Sequence, residues 1–171
     1  MNPEWFGDSY DIIKRYFVGL LKSNGYRVFV DPMFTGNWQV IQEAFYRFVG
    51  APKFDGNKNS GERTALLLDP DTGIGKHKTA KHITIDTIIE ELKQHDLVFS
   101  FDQSFSRNRT ANEQMIEKLN FLSDKGLFAF YYDSHARFLF VGKSQTDMEI
   151  VLHAIQKTGL PKSRLILGNH T

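Results

Sequence analysis

Three short apolar runs in this sequence end in aspartate. Val30-Asp31, Leu68-Asp69 and Phe101-Asp102 each place a carboxylate where a hydrophobic run gives way to a polar loop, and Asp71 follows soon after Asp69. In an open α/β sheet, ligands bind beyond the carboxyl ends of the parallel strands. If the three strands are neighbours, these carboxylates share one rim. Grouped there, Asp31, Asp69, Asp71 and Asp102 would hold Mg²⁺ or Mn²⁺ for phosphoester hydrolysis, as a phosphoesterase or nuclease does. An aspartate at a strand end equally caps the next helix or starts a turn.

The loop after Asp69 reads Pro70-Asp71-Thr72-Gly73-Ile74-Gly75-Lys76-His77-Lys78-Thr79-Ala80-Lys81-His82. Its glycines allow close backbone approach, and Lys76, Lys78 and Lys81 are placed either to hold a phosphate or to form a solvated basic loop. It is not a Walker A loop, because Pro70 stands where the first glycine belongs and His77 where Ser or Thr must follow the lysine. The third aspartate opens Asp102-Gln103-Ser104-Phe105-Ser106-Arg107-Asn108-Arg109. Gln103 carries donors and an acceptor suited to a base edge or a water. Arg107 and Arg109 can fork onto phosphate or carboxylate, and Arg107 can equally pair with Asp102. The six histidines show no HExxH spacing, and no GxSxG elbow occurs. The chain has no cysteine, which removes thiolate metal sites and a cysteine nucleophile.

Two periodicities alternate along the chain and must position these groups. Helical spacing runs over 9–24, 37–49, 86–94 and 111–124, with Gly25, Gly50 and Gly126 as stops. Strand-like runs occupy 27–31, 65–69 and 97–102, the second continuously apolar up to its closing aspartate and the third mostly so, as in strands buried on both faces. The segment 52–61 is polar, glycine-rich and without period, so it reads as an exposed loop. Strands over 127–132 and 137–141 lie too close in sequence for a parallel crossover and form an antiparallel hairpin. Thr146 and Glu149 have capping-box spacing and open a helix to Lys157, and 164–167 reads as a last short strand. The expected fold is α/β: a three-layer Rossmann-like sheet, parallel at the centre with an antiparallel C-terminal hairpin, in a single domain over 1–171.

Composition bounds the function. The net charge of +1 excludes binding of nucleic acid by bulk charge but leaves a local basic site open. No apolar run reaches the roughly 20 residues that span a bilayer, and the start of the chain has no signal-like core, so a cytoplasmic protein without a membrane partner is expected.

Two stretches resemble known families. The segment from Gly7 through Asp11 and Lys14 to Arg15, followed by Val30-Asp31-Pro32-Met33-Phe34-Thr35-Gly36, resembles the opening of a methyltransferase group. That group contains the adenine-N6 methyltransferases of large-subunit ribosomal RNA and the three-Cys-motif partner proteins. Leu68-Asp69-Pro70-Asp71-Thr72-Gly73-Ile74 resembles the LDPDNGL motif of an uncharacterised bacterial family, and Asp102-Gln103-Ser104, Arg107 and 136–140 resemble its later elements. The resemblance implies a methyltransferase-like domain acting on nucleic acid or a nucleotide. S-adenosylmethionine would lie near Asp31, Thr35 and Gly36, and Asp69 would hold the substrate amine, with Asp71, Asp102 and Gln103 completing the catalytic group. Lys14, Lys76, Lys81 and Arg107 would meet phosphates. Only about 30 residues separate the first two strands, which leaves no strand to carry a ribose-binding acid. A non-catalytic binding or partner module on the same fold is the remaining alternative.

Overall fold

The second and third strands are apolar at nearly every position because helices cover both faces of the sheet that contains them. The structure, a computed structural model, describes residues 2–57 and 60–168. Its elements run in the order α1 (Ser9–Ser23), β1 (Tyr26–Pro32), α2 (Gln42–Val49), β2 (Arg63–Asp69), β3 (Gly73–Ile74), β4 (His82–Ile83), α3 (Ile85–Glu91) and β5 (Leu97–Phe101). They continue as α4 (Ala111–Asp124), β6 (Phe128–Tyr132), β7 (Phe138–Gly142), α5 (Gln145–Lys157) and β8 (Leu165–Leu167). Six strands form one sheet in the order β1-β2-β5-β7-β6-β8. The β1, β2 and β5 strands are mutually parallel, and β7, β6 and β8 join by antiparallel pairing.

Alternation along each strand sorts the core into two layers. Val28, Val30, Ala65, Leu67, Leu97 and Phe99 face α1, α2 and α5, where Phe17, Leu21, Phe45 and Val151 meet them. Phe29, Leu66, Leu68 and Val98 face α3 and α4, against Ile88, Met115 and Leu119. The parallel and antiparallel halves are joined by stacked rings: Phe99 on Phe140 at 5.5 Å, and Phe140 on Phe130 at 4.8 Å. Each such aromatic pair contributes about 0.5–1.5 kcal/mol beyond area burial.

The α/β architecture and the hairpin agree with the sequence, and four local features differ. The helix expected from residue 37 begins at Gln42. Trp38 instead stacks on Phe34 at 4.4 Å, so its apolar character belongs to an aromatic cluster and not to a helix face. The helix expected to reach 94 ends at Glu91, where Lys93 and Gln94 tighten into bonds with the carbonyls of Glu90 and Glu91. Ser144, not Thr146, caps α5, its hydroxyl accepting from the Asp147 amide at 3.3 Å. The basic loop after β2 is not featureless, for β3 and β4 pair in parallel at its base.

Candidate functional site

Strand parity decides where each strand-end aspartate points. Asp69 continues the Ala65-Leu67 face and so meets α1. Its carboxylate accepts from the Lys14 ammonium, with both oxygens within 2.9 Å, and Lys14 also donates to Asp11 at 2.8 Å. The other Asp11 oxygen accepts from the Gly7 amide at 2.8 Å. All three side chains are buried, at 1% exposure for Asp11, 3% for Lys14 and 1% for Asp69. Two carboxylates and one ammonium leave a formal excess of negative charge, which favours retention of protons. Burial pulls the Lys14 ammonium down, but Asp69 and Asp11 outweigh it and hold it above its ordinary value. Burial pushes the Asp69 carboxyl up against the pull of Lys14, and Asp11 adds to the rise.

Asp102 continues the Val98-Ser100 face and meets α4. One oxygen accepts from the Ile74 amide at 3.0 Å and the Ser104 amide at 3.1 Å. The other accepts from Lys118 Nζ at 2.6 Å and the Tyr131 hydroxyl at 2.8 Å. Four donors satisfy a fully buried carboxylate, which pins the loop after β5 and the start of β3 to α4. Burial, with Asp102 beside it, holds the Tyr131 hydroxyl well above its ordinary value of about 10. Above pH ~10 the unfolded chain loses the tyrosine proton that the fold retains, and Lys14 behaves in the same way. Bound protons then favour the fold less as pH rises. Urea midpoints measured from pH 8 to 11 are expected to fall beyond pH ~10, and a midpoint that stays level would contradict these two placements.

Asp31, at the end of β1, is exposed. Desolvation raises its carboxyl against the opposing pull of Lys53 and Lys78, which places Lys78 of the basic loop close to this strand end. Asp71 lies 3.9 Å from Lys81. The four aspartates therefore share a rim without forming the cation set that their positions in sequence suggested. Among the described residues, no three His, Asp or Glu side chains are grouped to hold a metal ion. The physical reason is parity, which sends Asp69 and Asp102 to opposite layers, each onto its own lysine.

Lys14, expected at a phosphate, is instead enclosed between Asp11 and Asp69. Asp69, expected to hold a substrate amine, holds this lysine's amine. Gln103 is a strut: its amide N–H donates to the Thr72 carbonyl at 3.2 Å and its side-chain amide to the His135 carbonyl. His135 in turn stacks on Tyr10 at 5.4 Å and shares a 2.9 Å hydrogen bond with its hydroxyl. These bonds tie the hairpin turn, the start of α1 and the loops after β2 and β5 into one rim. Sequence reasoning passed over Tyr10, Asp11, Lys118, Tyr131 and His135. For Asp11 a signal existed, since it stands three residues before Lys14, one helical turn along a helix that the periodicity had already marked.

The S-adenosylmethionine residues do not make a complete site. Strand β1 is the edge of the sheet, so among the described residues no further strand carries a ribose-binding acid beside it. The Thr35 carbonyl accepts the Trp38 indole N–H at 3.1 Å. Gly36, at φ +84°, turns against Pro3, whose ring lies 3.4 Å from where a Cβ would stand. The protein's own aromatic cluster and N-terminal segment thus pack against the loop after β1.

The phosphate candidates Lys76, Lys81 and Arg107 are exposed on this side of the sheet. Thr72 donates to the Lys81 carbonyl at 3.0 Å and Gly75 to the Ile83 carbonyl at 2.8 Å, closing residues 75–81 into an arm on the β3–β4 base. The Thr79 hydroxyl accepts from the amides of Lys81 and His82 at 3.1 and 3.0 Å. No family model, curated protein or solved structure matches the chain. Among the described residues, no helix is long and apolar enough to cross a membrane.

Proposed function

We propose that this protein is a binding domain for a phosphate-bearing ligand, a nucleotide or nucleic acid, on a Rossmann-like scaffold of the methyltransferase type. The arm at 75–81 carries the reading. It presents Lys76, Lys78 and Lys81 in an exposed, hydrogen-bonded turn at the carboxyl ends of parallel strands, where α/β sheets bind their ligands. A turn ordered before the ligand arrives loses less entropy on binding. With a net charge of only +1, affinity must come from this local cluster. The engagement of Asp69 by Lys14 favours binding over transfer chemistry, because the carboxylate that would hold a substrate amine already holds an internal one.

Fluorescence anisotropy with a labelled single-stranded oligonucleotide at low salt tests the proposal. Replacing Lys76, Lys78 and Lys81 together with alanine is expected to weaken binding. The salt dependence of log K should become shallower by about two units, since each phosphate contact on a single strand contributes roughly 0.7. The thermal midpoint should stay near that of the wild type, because the three side chains are exposed. Unchanged affinity in the triple variant, or no binding by the wild type at low salt, would overturn the reading.

A further inference from the structure

We propose that the cavity between the arm, α3 and α4 binds a small organic anion, a carboxylate or phosphate head on a compact apolar body. The cavity encloses about 400 Å³, inside the roughly 300–1,000 Å³ typical of small-molecule sites. Ile74, Ile85 and Phe121 supply apolar wall, and Lys118 and Lys76 supply cations, while Arg109 is paired with Glu117.

Lys118 sets the ligand class. Its side chain is only 17% exposed, and its ammonium donates to Asp102 at 2.6 Å and to the Ile74 carbonyl at 2.9 Å. An ammonium has three N–H groups, and among the described residues the third is taken by no protein oxygen: the ammonium lies 4.8 Å from the centroid of the Phe105 ring, a weaker partner that an anion in the cavity lined by Lys118 can displace. The counter-charge does not compete for that ligand. Asp102 is fully buried with four donors on its oxygens, so a molecule entering the cavity meets the N–H and not the carboxylate. Of the two acids lining the cavity, Glu117 is engaged by Arg109 at 2.6 Å, and Asp86 is exposed in the first turn of α3. An apolar body against Phe121 and Ile85 with its anionic head at Lys118 satisfies both kinds of wall. The site shares Lys76 with the arm but requires no nucleic acid.

Amide chemical shifts of the full chain, followed during titration with phenyl phosphate, phenylacetate and benzyl alcohol, test the proposal. The anions are expected to move the signals of Ile74, Ile85 and Phe121, and the better of them should bind at least about tenfold tighter than the neutral alcohol, the effect of one charge-assisted hydrogen bond. Stronger binding of the phosphate ester would identify a phosphorylated ligand, and stronger binding of phenylacetate a carboxylic acid. Ile85→Trp, at a half-buried wall position, is expected to fill the cavity and abolish the response while the arm still binds oligonucleotide. Three results would overturn the site: no shifts at millimolar anion, equal binding of the alcohol, or an undiminished response in a folded Ile85→Trp variant. None of them touches the reading of the arm, which fails only on the oligonucleotide experiment.

Discussion

Replacing Lys14 with methionine is expected to cost about 3–5 kcal/mol, because it strands two buried carboxylates without their cation. For a chain of this size that corresponds to a fall in melting midpoint of roughly 6–20 °C. The effect should reverse when the charges leave together. A variant carrying Asp11→Leu, Lys14→Met and Asp69→Leu is expected to recover most of the loss, since a buried ionic cluster is often matched by apolar residues of similar volume. Urea denaturation of the single and triple variants decides the matter. A Lys14→Met protein as stable as the wild type would mean that Asp11 and Asp69 reach water or a proton at little cost. The cluster would then not be what holds α1 to the end of β2.

Gly73→Ala is the second large effect, expected at about 2–5 kcal/mol from backbone strain together with overpacking. Gly73 has φ +116°, and a Cβ there would stand 2.6 Å from the Gln103 amide nitrogen, 2.7 Å from an Asp102 oxygen and 2.8 Å from the Asp102 Cα. Two of those neighbours are backbone atoms, which cannot swing aside. The same crowding would push apart the bonds from Ile74 to Asp102 and from Gln103 to Thr72, so oligonucleotide affinity should fall along with stability. Gly75→Ala is the contrast. Its new methyl would meet the His82 side chain at 3.1 Å, a contact that side-chain movement relieves, and its expected cost is about 1 kcal/mol or less. Chemical denaturation of both variants gives the comparison, and equal losses would contradict the close packing of β3 on the loop after β5.

Much of the frame was legible because it depends on local pattern. The mainly apolar runs at 65–69 and 97–102 announced strands covered on both faces, and the four residues at 133–136 allowed only an antiparallel return. The misreadings arose where apolar residues served another purpose than helix periodicity. Trp38 and Ile41 have helical spacing with Phe45, yet Trp38 is spent on a stack with Phe34 and the helix starts after it. The β3–β4 pair was invisible because two-residue strands carry no period, and its two isoleucines, Ile74 and Ile83, flank a stretch rich in lysine and histidine.

The sequence by itself determined the α/β class, the strand ends that bear aspartate and the local basic character of the loop after β2. These follow from residue type and spacing along one segment. Only the tertiary structure decided which aspartates are available to a ligand. Asp69 and Asp102 look alike in sequence, each closing an apolar strand, but they leave the sheet on opposite faces. One is bound by Lys14 of α1 and the other by Lys118 of α4, partners 55 and 16 residues away. A buried carboxylate must find its compensating cation wherever the packed layers bring one. That pairing engages Asp69 and Asp102 inside the fold, while Lys76, Lys78 and Lys81 of the arm stay exposed, and it is on these that the proposed ligand binding rests.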